Sequence, residues 1–317
     1  MLLMAPLSPA QAAPPPRPFL AYHASWAETP ATSGDTTTLA GLPGYITHVA
    51  LSFVKPDLTY AGALDLSGTG LEYPYSGAIL RAGILALKQR QPGTKVLLAV
   101  GGATYGGWSR LDADALARLV RDLGADGVDI DYEPANPSCV VVSARVHCAN
   151  DLLSIQLVET IRSALPRPLV VSAAGWSVGA YGEGAFATAP PRSPWRGSML
   201  ALLRSPAAAK LDLVSIMSYD AGPSYRPDQA FRAYRALWKG PLALGVQVLP
   251  GNGPRFSFAY TGEILSAVRD DPLAGAMLYA LRLEPPGPPG PDNPDYRAMA
   301  AAICVTLDLA DCSAPVP

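Results

Sequence analysis

The stretch Ala125–Pro134, ADGVDIDYEP, decides the reading of this chain. It holds four carboxylates, Asp126, Asp129, Asp131 and Glu133. A helix-like run, Ala113–Leu123, precedes it and is closed by Gly124, which reads as helix, glycine stop, then strand. Side chains alternate along a strand, so Asp129, Asp131 and Glu133 share one face while Val128, Ile130 and Tyr132 present an apolar face to a covering helix. Carboxylates about 7 Å apart in a row raise one another's pKa, and Glu133 at the end of the row suits a proton donor near neutral pH. A solvated acidic edge strand is the plain alternative, but a strand flanked by helices is normally interior to an α/β sheet. A divalent-metal site is the other alternative. Such sites recruit ligands from several loops, and one strand cannot close a shell, so no metal is expected.

Working outward, β-rich apolar runs recur at 19–25, 46–54, 96–101, 127–132, 169–174, 213–218, 242–248 and 275–281. Helix-like runs fall near 76–91, 112–123, 151–164, 197–204, 227–238, 260–269 and 295–303, and the first crossover, around 36–42, is weak. Strands alternating with helices predict a parallel sheet of the α/β class, and this number of repeats predicts a closed (β/α)8 TIM barrel. An open doubly wound sheet is the alternative, but no glycine-rich phosphate loop follows the first strand. Barrel chemistry sits at the C-terminal ends of strands, where Glu133 falls.

The acidic stretch resembles the D-x-x-D-x-D-x-E motif of glycoside hydrolase family 18, the chitinase-like barrels, with every acidic position filled. Other strand ends are similar to the family in order. AYHASW places Tyr22 near the pocket floor, and THVALSFV places Phe53 inside. AVGG resembles S-x-G-G with Ala99 in place of Ser, and its Gly101 and Gly102 permit close backbone approach. SIMSYD supplies Met217, Tyr219 and Asp220. The resemblance covers roughly residues 19–283. One position departs from it: Tyr279 stands where the family commonly ends its last strand with a Trp under the central sugar. Trp176 and Trp108 are further sugar platforms or ordinary packing.

The resemblance implies substrate-assisted, retaining hydrolysis of β-1,4 linkages after N-acetylglucosamine. In that scheme Glu133 is the acid and then the base, and Asp131 orients the attacking acetamido group. Asp129 shares a proton or hydrogen bond with Asp131, and Asp126 supports the start of the strand. Tyr219 bonds the acetamido carbonyl, Asp220 holds sugar hydroxyls, and Tyr22, Phe53, Met217, Tyr279 and Trp176 line the subsites. The segment Leu249–Ala274 is too short for the family's insertion domain, which implies an open cleft and endo-type cutting. An endo-β-N-acetylglucosaminidase acting on N-glycans uses the same acids. A sugar-binding barrel without turnover is the rival from another class.

Composition sets the remaining bounds. With 317 residues the chain suits one barrel, taken as residues 19–304, with 305–317 a C-terminal tail. Net charge is −2 and charged residues make up 16%, so nucleic acid is not an expected partner. The proline clusters Pro14–Pro18 and Glu284–Pro294 read as a lead-in and a surface loop. Residues 1–18 resemble the remnant of a secretory signal plus that lead-in, and no segment is long enough to span a bilayer. Cys139 with Cys148 and Cys304 with Cys312 form two local pairs that suggest disulfides, although four cysteines allow three connectivities. Their spacing argues against zinc. The expectation is a secreted or periplasmic monomer needing no cofactor, with an N-acetylglucosamine-containing polysaccharide or oligosaccharide as its partner.

Overall fold

In the computed structural model, which describes residues 17–317, the opening stretch does what its residues dictate. The Asp112 side chain caps the helix that follows by accepting from the Ala115 N–H at 2.8 Å. Gly124 ends that helix in a left-handed conformation with φ 71°. Strand pairing resumes at Gly127, and Asp126 fastens the junction. Its carboxylate accepts from Lys88 Nζ at 2.9 Å and from the Val96 N–H at 2.9 Å.

The chain forms ten strands among the described residues: β1 Phe19–Ala24, β2 His48–Val54, β3 Lys95–Gly101, β4 Gly127–Asp131, β5 Val140–Val142, β6 Arg145–His147, β7 Val170–Trp176, β8 Leu213–Met217, β9 Leu242–Gln247 and β10 Ala274–Leu281. Eight of them close into a barrel in the order β1-β10-β9-β8-β7-β4-β3-β2, every pair parallel. The crossover helices are α1 Gly77–Arg90, α2 Ala113–Leu123, α3 Asp151–Ala164, α4 Leu200–Arg204, α5 Pro227–Leu237, α6 Phe258–Ser266 and α7 Tyr296–Thr306. The expected single-domain (β/α)8 barrel is therefore correct. Only α6 and loops separate β9 from β10, so no insertion domain stands there.

Several details differ from the sequence reading. The first crossover contains no α-helix, only 3-10 turns at Ser25–Ala27, Gly34–Thr36 and Leu39–Gly41. The strand holding the acids stops at Asp131, one residue earlier than expected, and the fifth barrel strand runs on to include Trp176. The hairpin of β5 and β6 was not expected at all. It turns through Ser143 and Ala144, both at positive φ (50° and 61°), a conformation usually taken by Asn-Gly or Asp-Gly. The last helix reaches Thr306, and residues beyond it pack back on the barrel: Tyr45 OH donates to the Ala314 carbonyl at 3.2 Å, and Val316 is buried. The signal-like leader lies outside the described residues, apart from Arg17 and Pro18. Arg17 donates to the carbonyls of Val268 and Asp271, both at 3.1 Å, at the barrel's N-terminal end.

Two apolar layers result. The larger joins the strands' outer faces to the helices and includes Val128 and Ile130. The smaller fills the barrel and mixes bulky Leu20, Tyr22 and Met277 with small Ala50, Ala99, Ala174 and Ala243. The small residues leave the interior room for the carboxylates of β4. Both cysteine pairs, Cys139–Cys148 and Cys304–Cys312, are disulfides.

Candidate active site

Asp129 and Asp131 point into the barrel and are 0% and 3% exposed. Asp129 is fully engaged: Tyr22 OH donates to Oδ2 and Ser172 Oγ to Oδ1, each at 2.5 Å. Burial raises its pKa, and these two donors oppose the rise. Asp131 is the opposite case. Its Oδ1 is buried and has no hydrogen-bond partner among the described residues. Burial, then the charges of Glu133 and Asp129, push its carboxyl well above the usual range. The hydrogen bond expected between Asp129 and Asp131 is not made here. Tyr22 and Ser172, from β1 and β7, each hold one oxygen of Asp129, and Asp129 acts on Asp131 through its charge.

Glu133 lies two residues past the end of β4. Burial, followed by the negative charge of Asp220, lifts its carboxyl to about 7. It is therefore partly protonated at neutral pH, the state a general acid needs. Asp220 sits just past β8 with φ 53°. It accepts from Gln247 Nε2 at 3.0 Å and from the Asn252 N–H at 2.8 Å, which fixes its carboxylate on the rim.

The two glycines at the end of β3, Gly101 in the strand and Gly102 just past it, are there for space. Gly101 has φ 106°, and a Cβ on it would meet the Asp131 carbonyl oxygen at 2.2 Å and the Trp108 ring at 2.3 Å. Gly102 donates its N–H to that same Asp131 carbonyl at 2.9 Å and lies against the Phe53 ring. Ala99 pairs with Asp129 in the sheet. Any side chain at Gly101 would displace Asp131 itself.

Around the acids stands an aromatic wall. Tyr279 stacks on Tyr219 with ring centroids 5.9 Å apart, meets Tyr22 edge-on at 5.7 Å, and stacks on Phe53 at 6.4 Å. Trp26, which the sequence reading did not single out, extends the row by stacking on Phe53 at 5.9 Å and is 44% exposed. Trp26, Phe53 and Tyr279, with Tyr105 and Glu72, border a hollow of about 220 Å³. Among the described residues Tyr219 OH has only the Met277 sulfur as a partner, at 3.9 Å, and Met217 is buried nearby. Trp176 also reaches the cleft, stacked on Trp195 at 4.4 Å. Trp108 does not. It is buried edge-on against Tyr132 at 5.2 Å, so it is packing. The structure thus gathers Glu133, Asp131, Asp129, Tyr22, Phe53, Met217, Tyr219, Asp220 and Tyr279 at one barrel mouth. Asp126 lies at the opposite end of the strand, as support.

No group of His, Cys, Asp and Glu among the described residues could hold a metal ion. His23 is instead buried against Tyr73 and Glu28, and His48 is held at about 4 by burial.

The family model for glycosyl hydrolases family 18 matches residues 19–234, about two thirds of the chain. The chain belongs to glycosyl hydrolase family 18. Its matched span starts at β1 and runs through the four acids and Asp220 into α5. A chitinase of Plasmodium falciparum is 32% identical over 125 residues, which is 36% of this chain and 31% of that protein, so the alignment spans under a third of the relative. Among solved structures, catalytic domain 2 of the Ostrinia furnacalis Group II chitinase has a TM-score of 0.60 at 16% identity, covering 92% of this chain and 96% of that one. YKL-39, crystallised with the chitooligosaccharide GlcNAc4, also has a TM-score of 0.60, at 12% identity, covering 92% and 99%. Human YKL-39 is described as a pseudo-chitinase that retains chitooligosaccharide binding. At these identities the structural likeness speaks to the fold. The barrel mouth of this family 18 chain must speak for its chemistry.

Proposed function

We propose that this chain hydrolyses β-1,4 bonds after N-acetylglucosamine in chitin or chitooligosaccharides, by the substrate-assisted retaining route. The observation that carries the reading is the contrast between Asp131 and Glu133. Glu133 is poised near 7, so it can hold a proton for the glycosidic oxygen. Asp131 keeps a buried, partnerless oxygen beside it, placed to accept from a substrate N–H. Asp129, held by Tyr22 and Ser172, is not free to attack a sugar.

In the first step Glu133 protonates the leaving oxygen as the acetamido oxygen of the cleaved sugar closes on the anomeric carbon. Asp131 orients the acetamido N–H and offsets the positive charge of the oxazolinium. Tyr219 OH donates to the acetamido oxygen, and Tyr279 and Phe53 pack on the apolar ring face. Glu133, now a carboxylate, then takes a proton from water, which opens the oxazolinium with retention. No cofactor enters this scheme. Asp220, fixed by Gln247 and Asn252, holds sugar hydroxyls and keeps the Glu133 proton in place. With only α6 and loops between β9 and β10, the cleft is open and cutting is endo-type.

Two disulfides support secretion or a periplasmic location. Tyr279 offers less apolar area than Trp, which favours one second reading, release of N-glycans by an endo-β-N-acetylglucosaminidase. Product analysis on chitotetraose and on a high-mannose glycopeptide, beside Glu133→Gln, separates the outcomes. Chitobiose from the wild type alone supports the chitinase reading. Glycan release alone supports the second. Saturable binding without turnover overturns both and leaves a lectin-like barrel.

A further inference from the structure

The hollow of about 220 Å³ at the end of the aromatic row combines ring faces with a single carboxylate. Phe53 comes from β2 and Tyr279 from β10, while Trp26 and Tyr105 stand in the loops after β1 and β3. Glu72 reaches the hollow from the long loop between β2 and α1, and it is the one charged side chain among the described residues that line it. Neither Asp131 nor Glu133 lines this space, so it suits a unit of the substrate chain beyond the one being cut.

The loop holds Glu72 in place and turns it outward. Along LEYPY, Leu71, Tyr73 and Tyr75 are buried, while Glu72 and Pro74 between them are exposed. Tyr73 stacks on His23 at 5.8 Å and on Tyr75 at 5.2 Å, which anchors the segment. The Glu72 N–H donates to Ser25 Oγ at 3.0 Å, one residue before Trp26, so carboxylate and indole share one frame. Tyr105 OH donates to the Gly70 carbonyl at 3.3 Å, which ties that ring to the same loop. Burial, then the Glu72 charge, raises the Tyr105 hydroxyl, consistent with a carboxylate close to the ring. Among the described residues the Glu72 carboxylate accepts no hydrogen bond and makes no ion pair. Lys55 instead lies over the Tyr105 ring, its Nζ 5.8 Å from the centroid, and does not line the hollow.

We propose that Glu72 makes this hollow a seat for a sugar carrying a protonated amine, so that the favoured substrate is partly deacetylated chitin. This rests on the hydrolytic reading above. There, the acetamido group attacks only on the sugar held by Asp131 and Tyr219, so the other units of the chain are free to lack it. An ammonium group gains twice in the hollow, through a charge-assisted hydrogen bond to the carboxylate and through cation–π attraction to the rings. A neutral acetamide N–H or hydroxyl gains only a hydrogen bond. The unpaired carboxylate among aromatic faces therefore selects glucosamine over N-acetylglucosamine at this one place.

The test reads binding and cutting separately. Binding is measured by calorimetry with Glu133→Gln, at low salt and mildly acidic pH where the amine is charged. The probes are chitopentaose and each of its singly deacetylated isomers. One isomer should bind about 3- to 10-fold tighter than the acetylated parent. Adding Glu72→Gln should bring that ratio close to one, Glu72→Asp should keep part of it, and about 1 M salt should weaken it. No isomer binding tighter, or a preference that survives Glu72→Gln, overturns the inference. Cutting is read by sequencing the early products of partly deacetylated chitosan by mass spectrometry. Glucosamine should be enriched at one fixed position from the new chain end, and Glu72→Gln should lose that enrichment. An enrichment unchanged by Glu72→Gln overturns the inference and leaves the hydrolytic reading standing. A wild type that cuts neither chitopentaose nor chitosan overturns the hydrolytic reading, and the binding ratios still decide whether Glu72 selects the amine.

Discussion

Asp126 and Asp131 stand five residues apart at the two ends of one short strand, and their surroundings could hardly differ more. Asp126, at the N-terminal end of β4, is paired with Lys88 at 2.9 Å and accepts the Val96 N–H. Asp212, just ahead of β8, repeats the arrangement by pairing with Arg162 and Arg167 and accepting the Val171 N–H at 2.9 Å. At the other end no cation among the described residues pairs with Asp131 or Glu133, and each carboxyl is pushed upward. A satisfied carboxylate holds two elements together. An unsatisfied one, kept buried by the rest of the barrel, can bind and move protons. On the proposed function, binding and chemistry at the mouth are built at the expense of local stability, and the bottom offsets it.

The comparison predicts that substitutions at the mouth change rate far more than stability, and that those at the bottom do the reverse. The largest effect belongs to Glu133→Gln. It removes the transferable proton and should cut kcat on chitotetraose about 10²- to 10⁴-fold, while calorimetric affinity for the oligosaccharide stays within a few-fold. An unchanged rate would remove Glu133 from the chemistry. Asp131→Asn comes next. It should lower kcat about 10²-fold and at the same time raise Tm near neutral pH, because it takes a destabilised charge out of the interior. The sign follows from linkage: a carboxyl whose folded pKa lies above its unfolded value costs stability once pH exceeds the unfolded value, about 3.9. A fall in Tm on Asp131→Asn would mean that its carboxylate is satisfied after all. Asp126→Ala should do the opposite of both, costing about 1–3 kcal/mol in denaturant unfolding and leaving kcat of the folded protein within about 2-fold. A large loss of kcat at unchanged stability would break the division of labour between the two ends of β4.

The barrel and its acids were legible because their signals are local and periodic. A helix stop at Gly124 followed by alternating Asp and apolar residues has one sensible reading. Gly101 and Gly102 were likewise legible from type and place. What escaped depends on residues far apart in sequence or on atypical turns. The β5–β6 hairpin turns through Ser143 and Ala144 in place of Asn-Gly, so nothing in its sequence announced a two-residue turn. Trp195 sits in a proline-rich stretch with no periodicity, and its place beside Trp176 rests on a hydrogen bond to Pro134, 61 residues away. Trp26 had a usable signal, an indole just past the end of a barrel strand, but exposure is not written in sequence. The partner of Asp129 was misassigned for a similar reason. Alternation showed that Asp129 and Asp131 share a face, but only the closed barrel brings Tyr22 and Ser172 to Asp129.

The smallest predicted effect is also the sharpest test of why the mouth carboxyls differ from those at the bottom. Glu133 stands at about 7 through burial first and the charge of Asp220 second. If Glu133 must be protonated to act, the alkaline limb of kcat/KM falls near that value. Asp220→Asn removes the neighbouring negative charge and keeps a side chain of the same shape within reach of Gln247 and Asn252. The Glu133 carboxyl then ionises more readily, so the limb should move to lower pH by about half a unit to one unit. The burial contribution stays in place, so the limb should not drop to the ordinary glutamate value of about 4.3. A pH–rate profile of Asp220→Asn with an unmoved limb would assign the whole elevation to burial. A movement toward higher pH would mean that Asp220 acts on Glu133 through a contact other than its charge.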